Sequence, residues 1–345
     1  MTDIPGEQPD FILERIAQAL CKISANGGRI DILPHVRADG DAVGSALAIA
    51  RTVEQLGGSA RVIVDEPLDW TLRNLPGAEK IYIGMPKGPA GGDPADLAVM
   101  LDCGETTRLA GRASLYENAG IGIVLDHHIS SQPSGGLRLI DPSAAAVGQI
   151  VYRLILRMEA IAGHALLSHA HAVCLMGAIL TDTGGFRFSN TTRETFMVAS
   201  ALMQYDVDIS ALSFELLESM TLGKYRLIGE ACRKAAFFHD GSVAILCVSQ
   251  EMLKESGADE NDTNGLANML RAIDSVRVAF VIRNAEDGVI RVNVRSKEGF
   301  DSARFSSGFG GGGHARAAGF NLDGTDLDCA AAMLAAKAGE WLTKA

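Results

Sequence analysis

The sequence predicts an α/β protein: a larger domain on a mostly parallel sheet covered by helices, followed by a smaller α/β domain. Three observations carry that expectation. Short apolar runs of strand type alternate with stretches of helical apolar period. Several of the strand-type runs end at an aspartate or a histidine. Beyond about residue 215 the pattern changes to alternating strands and a glycine-rich segment.

Residues 11–23 space apolar side chains at helical intervals, and 29–36 then read as a strand running straight into charged residues. Helical period returns over 41–56, stops at Gly57-Gly58, and gives way to a strand at 60–64, a βαβ opening. Residues 84–94, rich in glycine and proline, read as a surface loop. Strands at 97–101 and 121–125 are buried-type apolar runs, each ending at an aspartate. Helices follow over 144–158, 165–180 and 193–204. Then a helix around 221–237 leads to a strand at 243–248, and a helix around 263–271 precedes alternating strands at 276–283 and 289–296. The glycine-rich segment 306–319 and an Ala-rich helix close the chain. The expected domains are 1–215 and 226–345, with a linker at 216–225, and no internal repeat is visible.

At 345 residues the chain has room for two domains with proper cores. Its 47% apolar and 21% charged residues exclude wholesale disorder. With 31 Lys and Arg against 42 Asp and Glu the net charge is −11. That balance argues against coating duplex DNA, which draws its affinity from many cationic contacts to phosphate, but leaves room for a small basic phosphate site. The 38 glycines are about one residue in nine, above the usual level of about 7%, and suit tight turns and close ligand approach. The acidic N-terminus lacks the basic and apolar regions of a signal peptide. The longest near-apolar run, 165–180, is interrupted by Ser168, His169 and His171 and reads as a buried helix rather than a membrane span. Six scattered cysteines without a CxxC pair fit reduced thiols. The expectation is a cytoplasmic protein with no membrane partner.

Acidic and histidine residues gather where strands are expected to end: His35, Asp39 and Asp41, then Asp102, then Asp126-His127-His128, then Asp182. In an open parallel sheet the carboxyl ends of all strands share one edge, where ligands bind, so these distant side chains converge. Gly40 between Asp39 and Asp41 would let one tight turn aim both carboxylates at neighbouring points. Converged carboxylates repel one another, and divalent cations resolve the conflict. Two imidazoles with four or five carboxylates form an oxygen and nitrogen donor set suited to Mn²⁺, or to Mg²⁺ or Co²⁺, rather than a thiolate zinc site. Two metals about 3.5–4 Å apart are a standard device for displacement at phosphorus. Any one of these residues alone is more often a cap, a turn or a core feature. Their joint occurrence in order is what points to metal.

Together, His35-x-Arg37-x-Asp39-Gly40-Asp41, Asp102, Asp126-His127-His128, Asp182 and Gly310-Gly311-Gly312-Gly313-His314 resemble the DHH phosphoesterase superfamily with its DHH-associated C-terminal domain. The resemblance covers about residues 35–319. The layout is most similar to the NrnA-like branch, oligoribonucleases that degrade very short RNA and often dephosphorylate 3′-phosphoadenosine 5′-phosphate. The resemblance implies two Mn²⁺ ions. His35 and Asp39 would hold one, and Asp41, His127 and Asp182 the other. Asp102 would bridge them. Asp126 would orient His127, and His128 would face the substrate, contacting phosphate or protonating the leaving oxygen. The implied nucleophile is a metal-bridging hydroxide.

In the second domain the resemblance puts Arg295 and His314 on the substrate, with the backbone of Gly311, Gly312 and Gly313 nearby. The active site would then lie in the cleft between the domains. Arg187, between Phe186 and Phe188, is a candidate for the scissile phosphate. His164, His169 and His171 read as helix features, His239 as a turn residue and Cys103 as buried filler.

The implied substrates are short single-stranded RNA or a nucleoside bisphosphate, and a homodimer is compatible with the resemblance. A pyrophosphatase or exopolyphosphatase would share the metal cluster, but the second domain shows Arg295-Ser296 and His314 rather than a Lys/Arg-rich tail. A linear-dinucleotide phosphodiesterase is not separated from nano-RNA cleavage. A non-catalytic nucleotide sensor would lack a metal ligand, whereas every matched position is filled. A processive exonuclease of the RecJ type would need further nucleic-acid-binding domains.

Overall fold

The computed structural model describes residues 9–86, 93–128, 136–284 and 288–344. The chain divides into two units, Met1–Ser219 and Met220–Ala345. The first contains α1 (Pro9–Ala25), β1 (Arg29–Pro34), α2 (Gly40–Gln55), β2 (Ser59–Val64), β3 (Tyr82–Ile83), β4 (Leu97–Leu101), α3 (Ala113–Glu117), β5 (Ile121–Asp126), β6 (Leu137–Ile140), α4 (Val147–Ala162), α5 (His169–Asp182), α6 (Arg193–Met203) and α7 (Ile209–Ser213).

Its six strands pair in the order β3-β2-β1-β4-β5-β6, all parallel. The chain starts in the middle, steps outward to β2 and β3, then returns to the other side of β1, so the winding reverses between β1 and β4. A crevice at the carboxyl ends of the strands is expected at such a reversal. Pro34 pairs with Leu101 and Leu101 with Leu125. The residues that follow them, His35, Asp102 and Asp126, therefore leave the sheet side by side.

Both faces of this sheet are buried, which is why its central strands read as apolar runs. Ile30, Ile32, Val99, Ile123 and Leu125 pack under α1, α2, α4 and α5. Leu33, Ile63, Ala98, Met100 and Val124 pack on the other face under α3 and the 3₁₀ helix Thr106–Arg112. Arg112 is 1% exposed and ties strand ends together: Nη1 donates to the Pro34 and Ile63 carbonyls at 2.8 and 2.6 Å, and Nη2 to Asp65 at 3.2 Å. This fixes the backbone just before His35. Helix α2 lies tightly against α5. A Cβ on Gly44 would stand 2.3 Å from the Cys174 carbonyl oxygen, and one on Gly40 2.4 Å from Thr181. Gly40 lies within helix α2, so close approach to Thr181, rather than the tight turn expected from sequence, is what demands glycine there.

The second unit contains α8 (Leu222–Lys234), β7 (Ala236–Phe238), β8 (Val243–Val248), α9 (Gln250–Ser256), α10 (Leu266–Arg271), β9 (Val278–Asn284), β10 (Ile290–Ser296), α11 (Ser302–Ser307), β11 (Gly312–His314), β12 (Ala317–Leu322) and α12 (Leu327–Lys344). Its strand order is β11-β12-β10-β9-β8-β7, antiparallel except for β8 with β9. Val278, Phe280, Val292 and Val294 face α11 and α12, and Ala244, Leu246, Ala279 and Val281 face α8, α9 and α10.

Several expected elements shift. The strand from residue 29 stops at Pro34, two residues before its expected end. The helix expected over 165–180 starts at His169, because the Leu166 and Leu167 amides donate to the Glu159 carboxylate at 2.7 and 2.8 Å instead of entering a helix. The helix expected to reach residue 237 ends at Lys234, and Ala236–Phe238 pairs with β8. Within the expected linker 216–225, a π-helical turn ends at Glu218 and α8 begins at Leu222. The glycine-rich segment holds β11 and the start of β12. Of the expected loop 84–94, residues 87–92 lie outside the described residues. Among the described residues, all six cysteines are free and no helix is long and apolar enough to cross a membrane.

His171 shows how the α2–α5 contact is pinned. Thr52 gives its hydroxyl proton to the Ala48 carbonyl at 2.9 Å, so it accepts from His171 Nε2 at 3.1 Å, leaving Nδ1 to accept from Ser168 at 2.8 Å. The ring is neutral: burial, aided by Arg51, pushes its pKa down to about 4. A histidine lowered from an ordinary 6.5 stabilises the fold fully above pH 6.5 and loses that contribution as pH falls toward 4. The loss is expected to be about 3 kcal/mol. Denaturant titrations of wild type and His171→Gln from pH 7 to pH 4 should diverge by that amount; parallel curves would contradict the assignment.

Candidate metal centre

His35 follows β1, and its Nδ1 lies 2.7 Å from the Val36 carbonyl oxygen. A carbonyl only accepts, so Nδ1 carries a proton and Nε2 is the nitrogen turned toward the carboxylates. That nitrogen is 3.4 Å from Asp102 Oδ2 and 3.8 Å from Asp39 Oδ2. His127 repeats the arrangement: Nδ1 is 3.1 Å from the Ala144 carbonyl oxygen, and Nε2 is 3.5 Å from Asp102, 3.6 Å from Asp182 and 4.0 Å from Asp41. Both imidazoles thus point ligand nitrogens into one cluster of carboxylates.

Asp39 caps α2, its Oδ1 accepting from the Asp41 and Ala42 amides at 3.1 Å, which leaves Oδ2 toward His35. Asp41, in the first turn of the same helix, is fully buried. The first amides of α4 donate to it, Val147 to Oδ2 at 2.6 Å and Gly148 to Oδ1 at 2.9 Å, and Ser45 adds a bond at 3.2 Å. The positive end of α4 favours a carboxylate there. Asp102 has a left-handed φ of 58° and is 3% exposed, and its Oδ1 has no hydrogen-bond partner. Asp182 is the last residue of α5, a helix end rather than the expected strand end, where the helix dipole disfavours a carboxylate. Asn190 holds it, donating from Nδ2 to the Asp182 and Ala145 carbonyls at 3.1 and 3.0 Å.

These atoms form three triads, each spaced to hold a cation: His35, Asp39 and Asp102; Asp41, His127 and Asp182; and Asp102, His127 and His128. The orphaned Oδ1 of Asp102 and the mixed nitrogen and oxygen donors fit hard or borderline divalent cations. Without cations the cluster is electrostatically costly. Burial first, then Asp102, Asp182 and Asp39, raise the Asp41 carboxyl well above its usual range. Burial likewise raises Asp102, and burial with Asp102 and Asp39 outweighs His127 to bring Asp182 up to about 6. Burial opposes charge on His35, but Asp102 and Asp39 prevail and push it up to about 10.

Asp126 Oδ1 accepts from the backbone amides of His127 and His128 and, at 2.7 Å, from His128 Nδ1. That bond, against the effect of burial, raises the His128 pKa. Cys103 is buried and its thiol is pushed up to about 12, first by burial and then by Asp102 and Asp126, so it remains a neutral filler.

Residues 29–179 match the DHH family, N-terminal domain, and residues 240–342 match the DHHA1 domain. A bifunctional oligoribonuclease and PAP phosphatase NrnA of Thermus thermophilus is 35% identical over 94% of this chain and 93% of its own length. The chain belongs to the DHH phosphoesterase family. As a family member it is a metal-dependent hydrolase of phosphate esters. The DHH fold is shared with an exopolyphosphatase-related protein of Bacteroides fragilis, at TM-score 0.84 and 23% identity over 97% of this chain and 96% of that one. It is also shared with the Mn²⁺ complex of RecJ from Thermus thermophilus, at TM-score 0.58 and 16% identity over 95% and 55%.

The remaining expected site residues of this DHH protein sit elsewhere on their units. Arg187 is exposed in the turn after α5, its Nε donating to the Gly184 carbonyl at 2.6 Å. Arg295 and His314 both stand opposite Ala317, so they share one row and one face of the second sheet. The Gly311 amide donates to the Ser306 carbonyl at 3.0 Å, while Gly312 and Gly313 belong to β11. Asn190 and the Ala144 carbonyl were not among the sequence candidates; nothing in their spacing marks them. Ser45, four residues after Asp41 on α2, is the one supporting contact that helical spacing could have exposed.

Because His35 is protonated at neutral pH in the metal-free protein, a cation at its Nε2 must displace that proton. Calorimetric Mn²⁺ titrations at pH 7 in buffers of different ionisation enthalpy should show at least one proton released per chain, with affinity rising from pH 6 upward. Buffer-independent heats would contradict His35 as a ligand.

Proposed function

We propose that this protein hydrolyses short single-stranded RNA and 3′-phosphoadenosine 5′-phosphate, using two Mn²⁺ ions. His35, Asp39 and Asp102 would hold one ion, and Asp41, His127 and Asp182, with Asp102 shared, the other. The observation that carries this reading is the buried Oδ1 of Asp102, which accepts no hydrogen bond and lies between two ligand sets at the reversal of the sheet. The NrnA relative supplies the substrate class. When bound, the cations supply Lewis-acid activation of water and offset phosphoryl charge.

The protein's own groups do the rest. Asp126 holds His128 through Nδ1, so that ring keeps a proton and can deliver it from Nε2 to the leaving ribose oxygen. The helix-end amides of α4 keep Asp41 in place. Asn190 fixes the chain around Asp182. Among the described residues Arg187 hydrogen-bonds only through Nε, leaving its Nη groups for phosphate. In the second unit, Arg295 and His314 would bind a substrate phosphate, with the Gly312 and Gly313 backbone beside them.

The test is hydrolysis by purified protein with Mn²⁺ of RNA from two to twenty-four nucleotides, 3′-phosphoadenosine 5′-phosphate, a linear dinucleotide and pyrophosphate, assayed side by side. Preference for the shortest RNA, together with release of phosphate from the bisphosphate, is expected. Turnover of pyrophosphate alone would replace this reading with that of an anhydride hydrolase, and silence on every substrate with metal bound would contradict enzymatic function.

A further inference from the structure

In the second unit, helices α8, α9 and α10 cover one face of the sheet at β8 and β9, but the same face of β10 and β12 is left partly open. Val292 and Val294 on β10, and Ala318 and Phe320 on β12, are buried on the opposite face. Their strand neighbours Asn293, Arg295, Ala317 and Gly319 are half-buried on this one. Directly paired residues lie on the same face of a sheet, so the open surface is crossed by successive rows.

The first row runs from Arg295 across Ala317 to His314. The third is electrostatically settled, since Glu260 takes both Arg283 at 2.9 Å and Arg291 at 3.3 Å. The row between them has Asn293 opposite Gly319, and Gly319 opposite Gly312. Asn293 carries a polar amide, and among the described residues that amide makes no hydrogen bond. Gly319 and Gly312 present bare backbone. A Cβ on Gly319 would stand 3.7 Å from Asn293 Oδ1, and one on Gly312 would meet nothing within 4 Å. The result is a flat, side-chain-free floor with one amide at its edge, a single row, about 7 Å, from Arg295. That separation matches the reach of a nucleotide from its phosphate across the ribose to its base.

We infer that Asn293 reads the base of the nucleotide whose phosphate is held at Arg295 and His314, and that it favours adenine. An asparagine amide offers a donor and an acceptor side by side, which complements the amino group and ring nitrogen of the adenine edge. Single-stranded substrates expose that edge, and the bare glycine floor accepts the flat ring. Arg295 in the phosphate row, with Arg271 of α10 close enough to act on it, makes the neighbouring end anion-selective; burial and then Arg271 hold Arg295 below its usual range. The inference rests on the nucleotide substrate class proposed above.

The test uses the full chain and equilibrium binding of three probes: AMP, purine riboside 5′-monophosphate, which lacks the 6-amino group, and ribose 5-phosphate. Wild type is expected to bind AMP about tenfold more tightly than the purine analogue. Asn293→Ala and the strand-compatible Asn293→Thr should lose that discrimination while binding ribose 5-phosphate as before. A variant that still discriminates, or a wild type that never does, overturns the assignment. RNA and bisphosphate hydrolysis measured on the same wild-type samples keeps the two ideas apart. Selective AMP binding without hydrolysis would contradict the proposed activity and leave base reading standing, whereas hydrolysis without discrimination would do the reverse.

Discussion

Four carboxylates converge at the reversal of the first sheet, and everything around them answers to their mutual repulsion. Two unit charges 4 Å apart repel by about 4 kcal/mol at an effective dielectric of 20, so such a cluster cannot sit fully ionised without compensation. The protein supplies part of it. Asp41 takes the amide end of α4, Asp39 caps α2, and His35 and His127 turn Nε2 to the middle. The remainder falls to groups whose protonation shifts, with Asp41, Asp102 and Asp182 raised and His35 raised as well. Divalent cations would remove both strains at once, because they would displace the His35 proton and favour every ionised carboxylate.

The fold serves that convergence. Parallel pairing aligns Pro34, Leu101 and Leu125, so three ligand-bearing turns emerge in one row, and Arg112 locks the strand ends beneath them with three hydrogen bonds. Glycines at positions 40 and 44 bring α2 so close to α5 that Asp41, at the start of one helix, and Asp182, at the end of the other, meet the same imidazole. Precision here comes from rigid elements rather than from loops.

Much of this is legible in the sequence, for a physical reason. A strand buried on both faces must be apolar, so the polar residue that ends it stands out, and His35, Asp102 and Asp126 announce themselves that way. Long helices are equally plain from their period. Two- to five-residue elements such as β3, β6 and α7 carry no period to read. Supporting contacts are hidden for another reason: the Ala144 carbonyl behind His127 and the Asn190 amide behind Asp182 are joined to their partners only by tertiary folding. The same holds for Asp126, whose neighbours in sequence include both histidines while its geometry selects the ring of His128. In the second unit, the glycine-rich stretch reads as a loop by composition, yet pairing with β12 makes part of it a strand.

The central claim is that Asp102 serves two cations at once. It is tested most directly by counting bound Mn²⁺ in wild type and in Asp102→Asn, a substitution that keeps size and shape while removing the charge. Wild type is expected to hold about two ions per chain. The variant should hold neither tightly, while melting at or above the metal-free wild-type temperature, because a repulsive charge has been removed. A folded variant that still retains both ions would contradict the shared role of Asp102 and the account of the site built on it.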